Sequence, residues 1–386
     1  MNIHRLPRLY RALLMPRKWL GRCFMRLAHA AGVRRTKIFF SSFRGRQYSD
    51  SPRAICELLL KRHPDWDFVW QVPRGASVPE GVRTVRPHTP RALWEISTAR
   101  AIVDNYNRPV YMLKFPDQLY VQTWHGDRGF KKMLNDLDPS PGYPDGKQMD
   151  LAVAGSRFGV SLYRSAFGYA GEVMAQGIPR NDALVNATEA DTESARRALG
   201  LPEGAGVLLY APTFRNETVG GIQSSGFSLD RALNALEEGT GHPWIALGRA
   251  HDLNAGADFG TARCRDVSRW PEMTDLMLAS DLLITDYSSC AGDFILLRRP
   301  VILYQPDRAQ FAANDRQMYF DMDECPHMAA LSEEQLMDML RRLPDLPDVS
   351  AQVGRFYGIC ETGRATQAVC RWIEERVAAE DDGTES

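Results

Sequence analysis

No run of apolar residues in this chain approaches the roughly 20 that a membrane-spanning helix needs. The apolar residues near the amino terminus are broken by a charge every few positions, which also removes a signal-peptide core. Neither a GxxxxGK(S/T) phosphate loop nor a GxGxxG fingerprint is present, so kinase and dehydrogenase readings lose their support. Cysteine is sparse: Cys23, Cys56, Cys264, Cys290, Cys325, Cys360 and Cys370 include no CxxC pair. That pattern offers neither a zinc site nor a disulfide framework and fits a reducing cytoplasm. Acid is missing from one end, since no Asp or Glu precedes Asp50.

What remains is a globular composition, 44% hydrophobic and 25% charged. At 386 residues the chain exceeds what one hydrophobic core usually serves, so two domains are expected. The net charge of -1 argues against a general nucleic-acid binder. It conceals a basic amino-terminal arm carrying Arg5, Arg8, Arg11, Arg17, Lys18, Arg22, Arg26, Arg34, Arg35 and Lys37, interleaved with Leu and aromatic residues. Residues 1–36 therefore read as a basic amphipathic helix on an anionic membrane surface, with Trp19 and Phe24 as interface anchors. The alternative is a helix that packs on its own protein and merely solvates its arginines.

Short apolar runs then alternate with helical stretches, the sign of a parallel α/β sheet. Strands are predicted at Lys37 to Phe40, Phe68 to Val72, Ala101 to Asp104, Tyr120 to Thr123 and Leu151 to Ala154, with a helix from Pro52 through Arg62. After a break at Gly177 to Asp182 and a helix over 188–199, a second series opens with Val207 to Ala211 and Ile245 to Gly248. Helices are predicted over 332–342 and 361–379, and the acidic tail from Glu380 as disordered. Between the two series and these helices lies the most informative segment, Asp281 to Tyr304. Its strand Leu282 to Ile284, the turn Thr285-Asp286-Tyr287-Ser288-Ser289, a helix and the strand Val301 to Tyr304 form one βαβ unit. Ligands in such sheets sit at strand carboxyl ends, beside helix N-termini. Thr285, Ser288 and Ser289 suit an anionic ligand such as a phosphate there, although the same residue types serve as ordinary helix caps.

Two histidines stand at strand ends, His125 before Gly126 and His251 after Arg249-Ala250. Each is placed to act as a general base, or as a structural histidine bonded to nearby backbone. Arg215 and Arg249 sit at similar strand ends and carry guanidinium groups suited to phosphate oxygens. The acidic run 321–324 lacks ligand spacing and reads as a loop.

Seven segments in order resemble the CDP-glycerol glycerophosphotransferase family, which includes teichoic acid primases and polymerases. They are SFRGRQYSDSPRAI (42–55), QTWHG with Lys131 and Lys132 (122–132), GIPRND (177–182), YAPTFR (210–215), the Arg249/His251 region, TDYSSCAGDFILLRRPVILY (285–304) and RQMYFDMDECP (316–326). The resemblance implies an α/β fold of GT-B type, two Rossmann-like domains whose parallel sheets face a central cleft. Residues 37–184 would form the acceptor-side domain, 185–350 the CDP-donor domain and 351–386 a C-terminal helix and tail. It implies CDP-glycerol as co-substrate, no metal or other cofactor, and a lipid-linked or polymeric glycan or polyol-phosphate acceptor. The protein would sit peripherally on the cytoplasmic face of the membrane.

By that resemblance His125 removes the acceptor proton, and His251 sits on the donor diphosphate. Gly126, Arg180, Thr213, Arg215, Arg249, Thr285, Asp286, Ser288 and Ser289 would contact substrate. Two departures stand out: Asp127 replaces the family's usual Thr, and Asp252 a proline. A carboxylate near each histidine is expected to raise its pKa or meet a different acceptor. A CDP-ribitol or other polyol-phosphate transferase, and a non-catalytic scaffold in capsule assembly, are the competing readings.

Overall fold

The structure, a computed structural model, describes residues 8–109, 111–138, 143, 145–213, 227–250, 259–309, 311 and 317–378, with backbone alone for 8–17. Arg215, His251, Asp252 and the tail from Glu380 lie outside the described residues.

The first sheet holds β1 (Arg34–Ser41), β2 (Asp67–Gln71), β3 (Val82–Val85), β4 (Ala99–Asp104), β5 (Leu119–Gln122), β6 (Leu151–Val153) and β7 (Glu172–Met174). Its order is β3-β2-β1-β4-β5-β6-β7, and every pairing is parallel. The second sheet holds β8 (Gly206–Ala211), β9 (Trp244–Gly248), β10 (Cys264–Asp266), β11 (Leu282–Thr285), β12 (Val301–Tyr304) and β13 (Met328–Ala330). Its order, β10-β9-β8-β11-β12-β13, is parallel throughout. Both sheets follow Rossmann order, and each reverses direction between its first and fourth strands. Ligand crevices form at that reversal. The expected α/β architecture of two Rossmann-like halves is present.

Helices cover both faces of such sheets, so central strands are apolar on both sides. Every residue of β4, β8, β11 and β12 is buried. The chain ends by returning to its beginning. Val369, Cys370, Trp372, Ile373 and Val377 of the helix Ala365–Ala378 share one core with Ile38, Phe40, Val103 and Val121.

The basic arm forms a helix, Arg8–His29, that packs on its own protein along one side. Met25 is buried in the core beside Phe39 and Ile102. Trp19, Leu20 and Leu27 remain 64%, 59% and 73% exposed. A groove of about 730 Å³ is lined by this helix and the helix Pro90–Ser97, which pack together, and includes Phe24, Leu27, Leu93 and Tyr111. Lys37 is not a solvated charge of the arm. It is buried in β1, where Nζ lies 2.8 Å from Glu95 Oε2 and donates to Thr98 Oγ1 at 2.7 Å. Among the described residues no helix is long and apolar enough to cross a membrane.

Candidate active site

His125 follows β5 and sits in a cage of rings. Tyr106 stacks on it at 5.0 Å and 5°, while Trp124 and Phe43 lie at 4.1 and 5.5 Å. Its Nδ1 lies 2.7 Å from the carbonyl oxygen of Asn105. A carbonyl only accepts, so Nδ1 carries the proton and Nε2 keeps its lone pair. Burial lowers the pKa of His125 to about 4, against the opposing pull of the Asn105 carbonyl and Asp50. The ring is therefore neutral near pH 7 and able to accept a proton. The surrounding backbone is strained: Phe43, Arg44, Asp50 and Trp124 have φ of 49°, 61°, 65° and 51°. Left-handed conformations in bulky residues cost about 1–3 kcal/mol each and gather at functional sites.

Across the cleft, the end of β11 is tied to the end of β8. Thr285 Oγ1 donates to the Ala211 carbonyl at 2.6 Å. Asp286 Oδ1 accepts the amide of Thr213 at 2.9 Å and the Thr213 hydroxyl. Thr213, Thr285 and Asp286 thus lie together at the reversal of the second sheet, with their polar groups engaged in bracing the turn. Ser288 and Ser289 are half-buried, and their amides have no partner among the described residues. The helix behind them is short, Cys290–Phe294, and its first amides are already used. Cys290 N donates to Ser288 Oγ at 3.4 Å, Ala291 N to Ser288 O at 3.3 Å and Gly292 N to Ser289 O at 3.1 Å. The anion-suited groups are therefore those of the serine turn itself, rather than the helix end expected from the sequence. Arg249, after β9, donates from Nη1 to the Trp270 carbonyl at 3.0 Å.

The two halves touch where the chemistry is expected. A Cβ built on Gly126 would collide with Ser289 Oγ, so only glycine lets the His125 loop approach the serine turn this closely. Beyond it the chain crosses to the second half. Lys132 N donates to the Gln317 carbonyl at 2.8 Å and Tyr319 N to the Phe130 carbonyl at 2.9 Å.

Beneath this contact lies a buried charge network that takes in Arg180, expected to contact substrate, together with Arg128 and Glu361, which the sequence did not single out. Arg128 is fully buried. Its Nε reaches Asp127 Oδ1 at 3.0 Å, Nη1 the Gly292 carbonyl at 2.9 Å, and Nη2 both Glu361 and Asp293. Arg180 spans Asp50 Oδ2 at 3.2 Å and Asp293 Oδ2 at 2.8 Å. Asn181 Nδ2 donates to Asp293 at 3.0 Å and to Glu361 at 2.9 Å. Burial alone would raise Asp293, but Arg180 and Arg128 outweigh it and hold the carboxyl below its usual value. Burial pushes Glu361 up despite Arg128. Asp127 turns away from His125: it binds Arg128, the Gly155 amide at 2.7 Å and Ser156 Oγ at 3.1 Å. The expectation that it raises the histidine pKa is therefore corrected. The carboxylate acting on His125 is Asp50, and the net shift is downward. Asp127 and Arg128 directly follow the His-Gly pair, which was the available signal, whereas Glu361 carried none.

The family model described as CDP-Glycerol:Poly(glycerophosphate) glycerophosphotransferase matches residues 23–375. The chain is 30% identical over 372 residues to the teichoic acid poly(glycerol phosphate) polymerase of Bacillus subtilis strain 168, covering 90% of this chain and 50% of that protein. It therefore spans about half the length of that relative. It is also 30% identical over 365 residues to the teichoic acid glycerol-phosphate transferase of Staphylococcus aureus, covering 87% of this chain and 92% of the relative. A solved structure of the wall teichoic acid polymerase TagF superposes with a TM-score of 0.84 at 27% identity, covering 96% of this chain and 97% of that one.

Proposed function

The chain belongs to the CDP-glycerol glycerophosphotransferase family, and from this we propose that it transfers glycerol phosphate from CDP-glycerol to a hydroxyl of a membrane-associated acceptor. CMP is released, and the product is a teichoic-acid-like or capsular polymer. The observation that carries the reading is the approach of Gly126, the residue after His125, to Ser289 of the serine turn across the cleft. His125 Nε2 takes the proton of the acceptor hydroxyl while that oxygen attacks the β-phosphorus. The new O–P bond forms as the bond to the bridging oxygen breaks, and CMP leaves with the electron pair. The hydroxyls and amides of Ser288 and Ser289 hold the diphosphate, on a turn fixed by Thr213, Thr285 and Asp286. Arg249, with Arg215 and His251, supplies positive charge to the departing CMP. Arg180 acts through Asp50 and Asp293, bracing the two halves. The exposed Trp19, Leu20 and Leu27 rest on an anionic membrane, on its cytoplasmic face.

The test is CMP release by the purified protein with CDP-glycerol or CDP-ribitol and a polyol-phosphate acceptor. CDP-glycerol is expected to be the better donor, and a preference for CDP-ribitol would move the assignment to that polyol. Absence of CMP with every donor and acceptor would leave the scaffold reading. His125→Ala should lower turnover by roughly 10²-fold or more with an unchanged melting temperature. Near-normal turnover in that variant would remove His125 from the mechanism.

A further inference from the structure

Arg44 is exposed yet fixed. It follows β1 in the strained loop, with φ of 61°. Its Nη2 donates to Asn107 Oδ1 at 2.7 Å and its Nε to the Asn107 carbonyl at 3.2 Å. The guanidinium lies 4.6 Å over the ring of Tyr106. Tyr106 is the ring that stacks on His125, and it is held in turn by Asp104 Oδ1, which accepts its amide at 3.0 Å. The Nη1 of Arg44 has no partner among the described residues. An exposed arginine ordinarily samples many rotamers. This one is locked at the cost of a left-handed backbone, with donors left over.

We infer that Arg44 binds a phosphate of the acceptor, one unit behind the hydroxyl that His125 deprotonates. The inference rests on the transferase reading above. The donor phosphates belong to the serine side of His125, and Arg44 belongs to the first-sheet side, one aromatic ring removed from the histidine. An acceptor chain whose terminal hydroxyl meets His125 runs back past Tyr106 toward that guanidinium. In a polyol-phosphate chain the group at that remove is an anionic phosphodiester, and a prepositioned fork recognises it through charge-assisted hydrogen bonds. A neutral acceptor offers nothing there. Arg44 is thus a residue that selects an acceptor already bearing phosphate, with no part in the proton transfer.

The experiment compares two soluble acceptors, one ending in a glycerol phosphodiester unit and one in its neutral ether-linked counterpart. Arg44→Ala should raise KM for the phosphodiester acceptor by about tenfold or more, leaving KM for CDP-glycerol and turnover with the neutral acceptor unchanged. Arg44→Lys should recover part of the loss, because charge survives while the fork does not. An equal rise for both acceptors, or none for the phosphodiester, overturns the inference. Calorimetry with a soluble glycerol phosphate dimer, without donor, should show the same weakening, and equal affinity for wild type and variant overturns it. That arm involves no turnover, so it decides Arg44 even where CDP-glycerol yields no CMP, the result that counts against the transferase reading instead. Should Arg44→Ala melt early, Asn107→Ala, which removes the Oδ1 acceptor of Nη2 while the guanidinium and the Asn107 carbonyl remain, carries the same comparison with a smaller expected rise.

Discussion

His125 combines a fixed tautomer with a depressed pKa, and the two together define how it should titrate. The folded value, about 4, lies below the ordinary 6.5, so the native state binds fewer protons than the unfolded chain between those limits. Stability contributed by this residue is therefore fully present above pH 6.5 and lost as pH falls toward 4. The acid limb of kcat/KM should likewise follow the lowered value, with activity holding through pH 6 and falling only near 4. A pH–rate profile with a midpoint at 6.5 would show that the cage of Tyr106, Trp124 and Phe43 does not desolvate the ring as the geometry requires. The position of His125 at a strand end beside Gly126 was legible in the sequence. Its ring partners were not, because Phe43, Tyr106 and Trp124 follow three different strands.

At the scale of elements, the junction is held by side chains from short segments that carry no periodic pattern. Arg128 follows β5, Arg180 and Asn181 lie in the short turn of helix Pro179–Asn181, Asp293 in Cys290–Phe294, and Glu361 just before the last helix. Replacing Arg128 with Met leaves Asp127, Asp293 and Glu361 buried around an uncharged side chain. Removing one partner of such a buried network costs about 3–5 kcal/mol, measurable by denaturant unfolding. A loss below about 1 kcal/mol would mean that the carboxylates relax into solvent, as exposed pairs do. The central strands were legible because burial on both faces makes them continuous apolar runs. The edge strands β3, β7, β10 and β13 were missed because they are short, and the first three mix polar with apolar residues, as in the exposed Arg265 and Asp266 of β10. The Asp281 to Tyr304 unit is strand, turn, helix and strand as expected, with the helix at Cys290–Phe294.

For the whole molecule, the amino-terminal helix serves two ends at once, packing through Met25 and presenting Trp19, Leu20 and Leu27 outward. Deleting residues 1–36 would open the core as well as remove the arm, so the cleaner variant replaces Trp19, Leu20 and Leu27 with Ser. This variant should lose sedimentation with anionic vesicles while keeping the wild-type melting temperature and CMP release from soluble acceptors. Unchanged sedimentation would remove the membrane role from this face. The chain's last helix makes a matching point. Its apolar side was visible as a periodic pattern, but its partner, the first sheet, lies at the other end of the sequence.

The sequence by itself determined the local and the collinear: alternating strands and helices, the basic arm, and ordered segments specific enough to identify the family. These follow from hydrophobic period and from residue types at strand ends, which are properties of neighbours along the chain. Only the tertiary structure decided which residues meet. It brought Gly126 against Ser289, turned Asp127 away from the histidine and onto the Gly155 amide, engaged Arg180 with Asp50 and Asp293, and locked Arg44 over Tyr106. Each of these depends on the approach of segments far apart in sequence, fixed by the packing of two sheets and of the helix that ties the chain's end to its beginning.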